Sequence, residues 1–199
     1  MALSTYADLQ ALVADQLARS DLTTQIPDFI TLFENAVARK LRIRLMETST
    51  NLTPSSGSVS LPSDYLQWRR VTWTGSTRVE LEYVHPSMLQ AYYPSTPSDI
   101  PAMFTIEGGT LKVRPVDSTA LEFDYLAKPA VLSGTLNSIW TNHPDLYLSG
   151  TLYEAYSFLK DKNNAPFWKG RRDELFNELR VADFRNNGNM AVRVMGPTP

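Results

Sequence analysis

The chain has 199 residues and a formal net charge of −2, a balance that argues against a dedicated nucleic-acid binder, which needs a strong basic excess. It has no cysteine and two histidines, which excludes disulfides, thiol chemistry and Cys- or His-rich metal sites. No run approaches ~18 apolar residues, and "MALSTYADLQ" lacks the basic and apolar regions of a signal peptide, so a soluble intracellular globular protein is expected.

Residues 4–45 read as two helices. In "STYADLQALVADQLAR" a Ser/Thr start precedes Tyr6, Leu9, Leu12/Val13 and Leu17 at helical spacing. After the polar "SDLTTQ", "IPDFITLFENAVARKLRIRL" repeats the pattern with Ile26, Phe29/Ile30, Phe33, Val37 and Leu41. Pro27 suits a first helical turn, where its missing N–H costs nothing.

From Met46 the period changes. "TSTNLT", "GSVSL", "RRVTWT" and "RVELEYV" are alternating or β-branched and separated by Pro and Gly, as strands are. "PSMLQAYY" suggests a short helix and "PSTPSDIP" a loop. "AMFTIEGGTLKVRP" reads as a hairpin turning at Gly108-Gly109. "TALEFDYLA" is a further strand, with Leu121, Phe123 and Tyr125 alternating against Glu122 and Asp124.

Helix returns in "PDLYLSGTLYEAYSFLKD" and "APFWKGRRDELFNELRVADFRNN", before the extended "NMAVRVMGPTP". The expected fold is therefore α+β. A four-helix bundle (1–45 and 129–189) carries an antiparallel β unit (46–128) inserted between helices two and three, with an extended tail at 190–199. Four such helices need one another's apolar stripes to form a core.

The strands carry two carboxylate pairs at i,i+2 spacing, Glu80/Glu82 and Glu122/Asp124. Each pair is expected to project from one sheet face. Paired acids suit glycan hydrolysis, but a solvated sheet face gives the same pattern. His85 and His143 each precede a proline, which points to capping or loop roles. No phosphate loop, nucleophile elbow or zinc-helix motif occurs. The run "ARKLRIRL" places Arg39, Lys40, Arg42 and Arg44 at the end of helix two, more charge than a helix C-terminus needs. Tyr65, Trp68, Trp73, Tyr83, Tyr92, Tyr93 and Trp140 crowd in or beside the β unit. They suit packing and protein interfaces, or a sugar-binding platform.

Three phrases together give this layout a family. They are "SLPSDYLQWRRV", "FTIEGGTLKVRPVDSTALEFDYLAKPAVLS" and "HPDLYLSGTLYEAYSFLKDKNNAPFWKGRRDEL". In this order, within a helix–β–helix chain, they resemble the head-to-tail adaptor (connector) proteins of tailed bacteriophages, relatives of the tail tubular protein of short-tailed phages.

The resemblance implies a non-enzymatic virion ring without cofactor, commonly a homododecamer, assembled in the host cytoplasm and sitting at the head–tail junction. It implies docking to the portal above, through the C-terminal segment around Val192, Arg193, Val194 and Met195, and to the nozzle or tail tube below. It also implies a lumen through which genomic DNA passes unspecifically, and no membrane partner. A lumen that lets DNA slide should be acidic or neutral, because fixed cations hold phosphate. Glu80, Glu82, Glu122 and Asp124 are candidates for that wall. Arg39, Arg42, Arg44, Trp68, Arg69 and Arg70 are candidates for subunit contacts, where aromatics and arginines are the usual anchors. The last three are expected at a rigid corner, "LPSDYLQWRR", fixed by Pro62 and Asp64. The alternative functions are a tail-associated glycan hydrolase and a sugar-binding module.

Overall fold

The computed structural model describes residues 4–19, 21–133 and 136–186. They form two compact units. One runs through 1–44 and 130–199, the other through 45–129.

The first unit is helical. α1 (Tyr6–Leu17) starts in a capping box, with Thr5 Oγ1 accepting from the Asp8 N–H and the Asp8 carboxylate accepting from the Thr5 N–H. α2 (Ile26–Lys40) has Pro27 in its first turn and buries Phe29, Ile30, Phe33 and Val37. A short helix, α4 (Ser138–Asn142), is capped by Asn137. α5 (Pro144–Phe158) packs against α6, α2, α1 and α4. It therefore buries Leu146, Tyr147, Ser149, Gly150, Thr151, Leu152 and Ala155, more than one stripe. α6 (Asn164–Asn186) buries Arg172, Leu175 and Phe176.

Phe33 meets Tyr147 edge-on at 5.2 Å between centroids, and Tyr147 meets Trp140 at 5.5 Å. Asn137 ties this core together: its amide donates to Ala130 O at 2.8 Å and Tyr147 Oη at 2.7 Å, and its side-chain oxygen accepts from the Trp140 N–H. Burial raises the Tyr147 phenol's pKa well above its ordinary value.

The second unit holds two four-stranded sheets. One has the order β1-β8-β3-β4, from β1 (Glu47–Leu52), β8 (Leu121–Ala127), β3 (Tyr65–Trp73) and β4 (Val79–Glu80). The other has the order β2-β7-β6-β5, from β2 (Ser58–Ser60), β7 (Thr110–Arg114), β6 (Met103–Glu107) and β5 (Glu82–Tyr83). Helix α3 (Pro86–Tyr92) packs on β6. One core joins the sheets: Val71, Trp73, Leu121, Phe123 and Tyr125 from the first, Phe104, Leu111 and Val113 from the second, and Leu81 between them. The Gly108-Gly109 pair turns the β6–β7 hairpin with both residues at positive φ, the conformation a two-residue turn demands.

The expected four-helix bundle with a single inserted β unit is thus overturned. The described residues form six helices and two sheets. The strands divide because the chain changes sheets at Leu81. The Leu81 N–H still donates to Val71 O in the first sheet, while the Glu82 N–H donates to Ala102 O in the second. β5 then pairs with β6 in parallel, so the unit is not wholly antiparallel.

Candidate functional site

The four acids expected at a lumen occupy different settings. Glu122 and Asp124 lie on the outward side of β8, since Leu121, Phe123 and Tyr125 point into the core. Arg70 Nη2 stands 2.8 Å from Asp124 Oδ2 and 3.7 Å from Glu122 Oε1, and Arg78 also pairs with Glu122. This pair is neutralised within the chain. Glu80 and Glu82 both face solvent, with Leu81 buried between them. They sit on different sheets rather than on one face, and no ion-pair partner reaches them among the described residues.

The corner residues also differ from expectation. Pro62 to Asp64 does turn the chain, with the Tyr65 N–H bonded to Pro62 O. Asp64 Oδ1, expected to cap the turn locally, instead accepts from the Tyr125 hydroxyl at 3.0 Å, and Asp64 O accepts from the Lys128 N–H. Burial, then Asp64, pushes the Tyr125 phenol up to about 12.

Trp68, Arg69 and Arg70 lie beyond the corner, in β3. Trp68 turns inward, stacking on Tyr83 at 5.3 Å and meeting Phe104 edge-on at 5.3 Å. Arg69 pairs with Glu47 at 3.2 Å. Trp68 is therefore a core-lining residue, and both arginines are engaged inside their own chain.

The basic run at the end of α2 is likewise tied down. Arg42 Nη1 donates to Ala38 O at 2.7 Å and Leu41 O at 2.6 Å, capping the helix. Arg44 bonds Asp183 of α6 through its backbone N–H and its Nε, at 3.0 and 3.2 Å. Lys40 reaches Asp173, and Arg180 donates to Lys40 O. Arg39 is exposed. Val192, Arg193, Val194 and Met195 lie outside the described residues.

His85 caps α3 by accepting from the Ser87 N–H. Among the described residues no cluster of His, Asp and Glu is placed to hold a metal, and no helix is long and apolar enough to cross a membrane. Of the aromatics considered as a platform, Tyr65, Trp68 and Trp73 pack in the β core and Trp140 in the helical core, while Tyr83 and Tyr92 are exposed.

Sequence reasoning passed over the turn between α5 and α6. α5 ends with Lys160 in the left-handed region (φ 55°). The Asp161 N–H donates to Tyr156 O and the Lys160 N–H to Ser157 O, the paired bonds of a Schellman cap. Asp161 then starts α6, accepting from the N–H groups of Asn163 and Asn164 and from the Asn164 amide, which hold its carboxyl below the usual range. A groove of about 530 Å³ lies here, lined by Tyr153, Tyr156, Pro166 and three lysines, Lys160, Lys162 and Lys169. Phe158 and Phe167, next to it in sequence, are exposed. The signal was present in "FLKDKNNAPFWKG", where three lysines fall within ten residues, interleaved with two phenylalanines.

Beneath this turn Arg172 is buried, 3.8 Å from Glu154 and 4.1 Å from the centre of the Tyr153 ring. Burial pushes the Glu154 carboxyl up, against the pull of Arg172.

Among curated proteins no relative matches the chain. The sequence model of the SU10 adaptor protein family matches residues 4–195, spanning both units and running past the end of α6. The likeness to the tail tubular protein is not part of that match. A match over nearly the whole chain settles membership: this protein belongs to the SU10 adaptor protein family, a family of structural bacteriophage adaptors of the head–tail junction.

Proposed function

We propose that the chain is the repeating subunit of a ring at the phage head–tail junction, commonly a dodecamer, with the portal above it, the tail below and DNA passing through its centre. In this reading its place under the portal is that of the tail tubular protein of short-tailed phages. The observation that carries it is the match of the adaptor-family model over residues 4–195, with which exposed rings in the helical unit agree. Phe158, Phe167 and Phe184 of the α5–α6 pair are 58%, 64% and 79% exposed. Isolated apolar residues on a surface are ordinary, but three large rings on one helical hairpin suit a protein partner.

The acids of β8 do not favour the hydrolase reading. A hydrolase needs carboxyls open to its substrate, and Glu122 and Asp124 are instead occupied by ion pairs with Arg78 and Arg70.

Native mass spectrometry and negative-stain imaging, with and without purified portal, test the reading. Rings, or a monomer that closes into rings on the portal, are expected. A stable monomer that ignores the portal and cleaves polysaccharide would reverse it.

A further inference from the structure

We propose that adjacent copies meet through the α5–α6 turn of one and the β4–β5 edge of the next, lysines against carboxylates. The inference rests on the ring reading above and names the surfaces that close the ring. A closed ring needs two unlike, complementary patches on every copy.

The first patch is the turn. It gathers three of the six lysines in the chain. Asp161, the acid lining the same groove, is consumed by three hydrogen bonds that start α6. Lys160, Lys162 and Lys169 have no ion-pair partner among the described residues. Lys160 also sits at a cap position where glycine is the unstrained choice. A lysine there costs stability, and its ammonium has no ion-pair partner among the described residues.

The second patch has the opposite charge. Glu80 and Glu82 stand on either side of buried Leu81, in a unit whose other strand acids, Glu47, Glu107, Glu122 and Asp124, are already paired with Arg or Lys. Each patch also carries apolar surface. Tyr83 and Met88 are 40% and 45% exposed on the second, and Phe158 and Phe167 border the first. Opposite charges around apolar anchors are what a specific contact needs: charge sets register and encounter rate, and the rings supply affinity. Duplex DNA on the lysines would leave the acidic edge and both apolar surfaces without a role. A second copy accounts for all of them, and takes Glu80 and Glu82 out of the lumen wall.

Charge reversal tests this. One variant carries Lys160→Glu, Lys162→Glu and Lys169→Glu; the other carries Glu80→Lys and Glu82→Lys. Each alone sets like charges face to face, and self-association, read by sedimentation velocity under conditions where the natural chain forms rings, should weaken by roughly tenfold or more. An equimolar mixture should recover it, because alternating copies restore every pair, and so should one chain bearing all five changes. Lys160→Gly guards against misfolding as an explanation, since it relieves the left-handed strain. It should raise the thermal midpoint and still weaken association several-fold. Rings of the natural chain with either reversal variant assembling normally, or a mixture that fails to recover, would overturn the proposal and leave the ring reading standing. Loss of DNA or portal binding in the lysine variant with self-association intact would overturn it too. Failure of the natural chain to form rings, with or without portal, would instead bring down the ring reading itself.

Discussion

The Phe33 ring of α2 fills the space that a Cβ on Gly150 of α5 would occupy. Gly150 is a mid-helix glycine that helix propensity alone would replace with alanine, for a gain of about 1 kcal/mol. Here the outcome should have the opposite sign. An added methyl overlaps ring atoms wedged between Tyr147 and Phe176, and overpacking of that kind costs about 1–3 kcal/mol. Gly150→Ala should therefore lower the urea midpoint, and Gly150→Ala with Phe33→Leu should regain part of the loss.

Trp68 makes a different kind of contact, between sheets. It belongs to β3 but touches Tyr83 of β5 and Phe104 of β6. Trp68 is partly buried, so Trp68→Ala should destabilise the chain by somewhat less than about 3 kcal/mol, the low end for truncating a fully buried aromatic, even in dilute monomer. A variant whose monomer melts normally but whose assembly fails would show instead that Trp68 faces a neighbour.

The ionic ladder on the outer face of β3 and β8 should matter far less. Arg70 is about half exposed, and exposed pairs contribute about 0–1 kcal/mol. Asp124→Asn should shift the denaturation midpoint slightly at low salt and not measurably at high salt, where screening removes the interaction. A large loss that persists at high salt would contradict this.

Burial of the Tyr125 phenol, reinforced by its bond to Asp64, gives the stability a dependence on alkaline pH. The folded chain holds the Tyr125 proton up to about 12, whereas an unfolded tyrosine releases it near ~10. The unfolded state then binds fewer protons, so stability falls as pH rises. The contribution is complete below about 10 and is lost as pH climbs through about 12. Denaturant midpoints taken on either side of that window should fall less in Tyr125→Phe than in the natural chain.

Much of the local structure was legible because local chemistry decides it. Leu121, Phe123 and Tyr125 alternate and all enter the β core. Other features were hidden because no local pattern encodes them. The alternation around Leu81 reads the same whether or not the chain changes sheets. By strict alternation Trp68 shares a face with Arg70 and Thr72. Arg69 is an extra residue opposite the Trp68↔Tyr125 and Arg70↔Asp124 pairs, and this bulge sends Trp68 into the core instead. Leu66 makes a second bulge. "SIWTN" is too short to show a helical period, and only Asn137 marks its start. Among candidate site residues, Arg42 was expected at a subunit contact, whereas its guanidinium caps the end of α2. The lysines of the α5–α6 turn were lost in the helical rhythm around them.

The tail supplies the last prediction. The family pattern runs to residue 195, beyond the end of α6 at Asn186. Attachment to the portal is the use proposed for this segment. The last buried side chains of α6 are Leu175 and Phe176, well before the segment begins. If the segment serves attachment, deleting residues 190–199 should leave the thermal midpoint within about 1 °C, the small shift usual for changes outside a core. The same deletion should sharply reduce co-sedimentation with portal. A truncated chain that unfolds early would place the segment in the core of the helical unit, and one that binds portal normally would move the docking surface elsewhere.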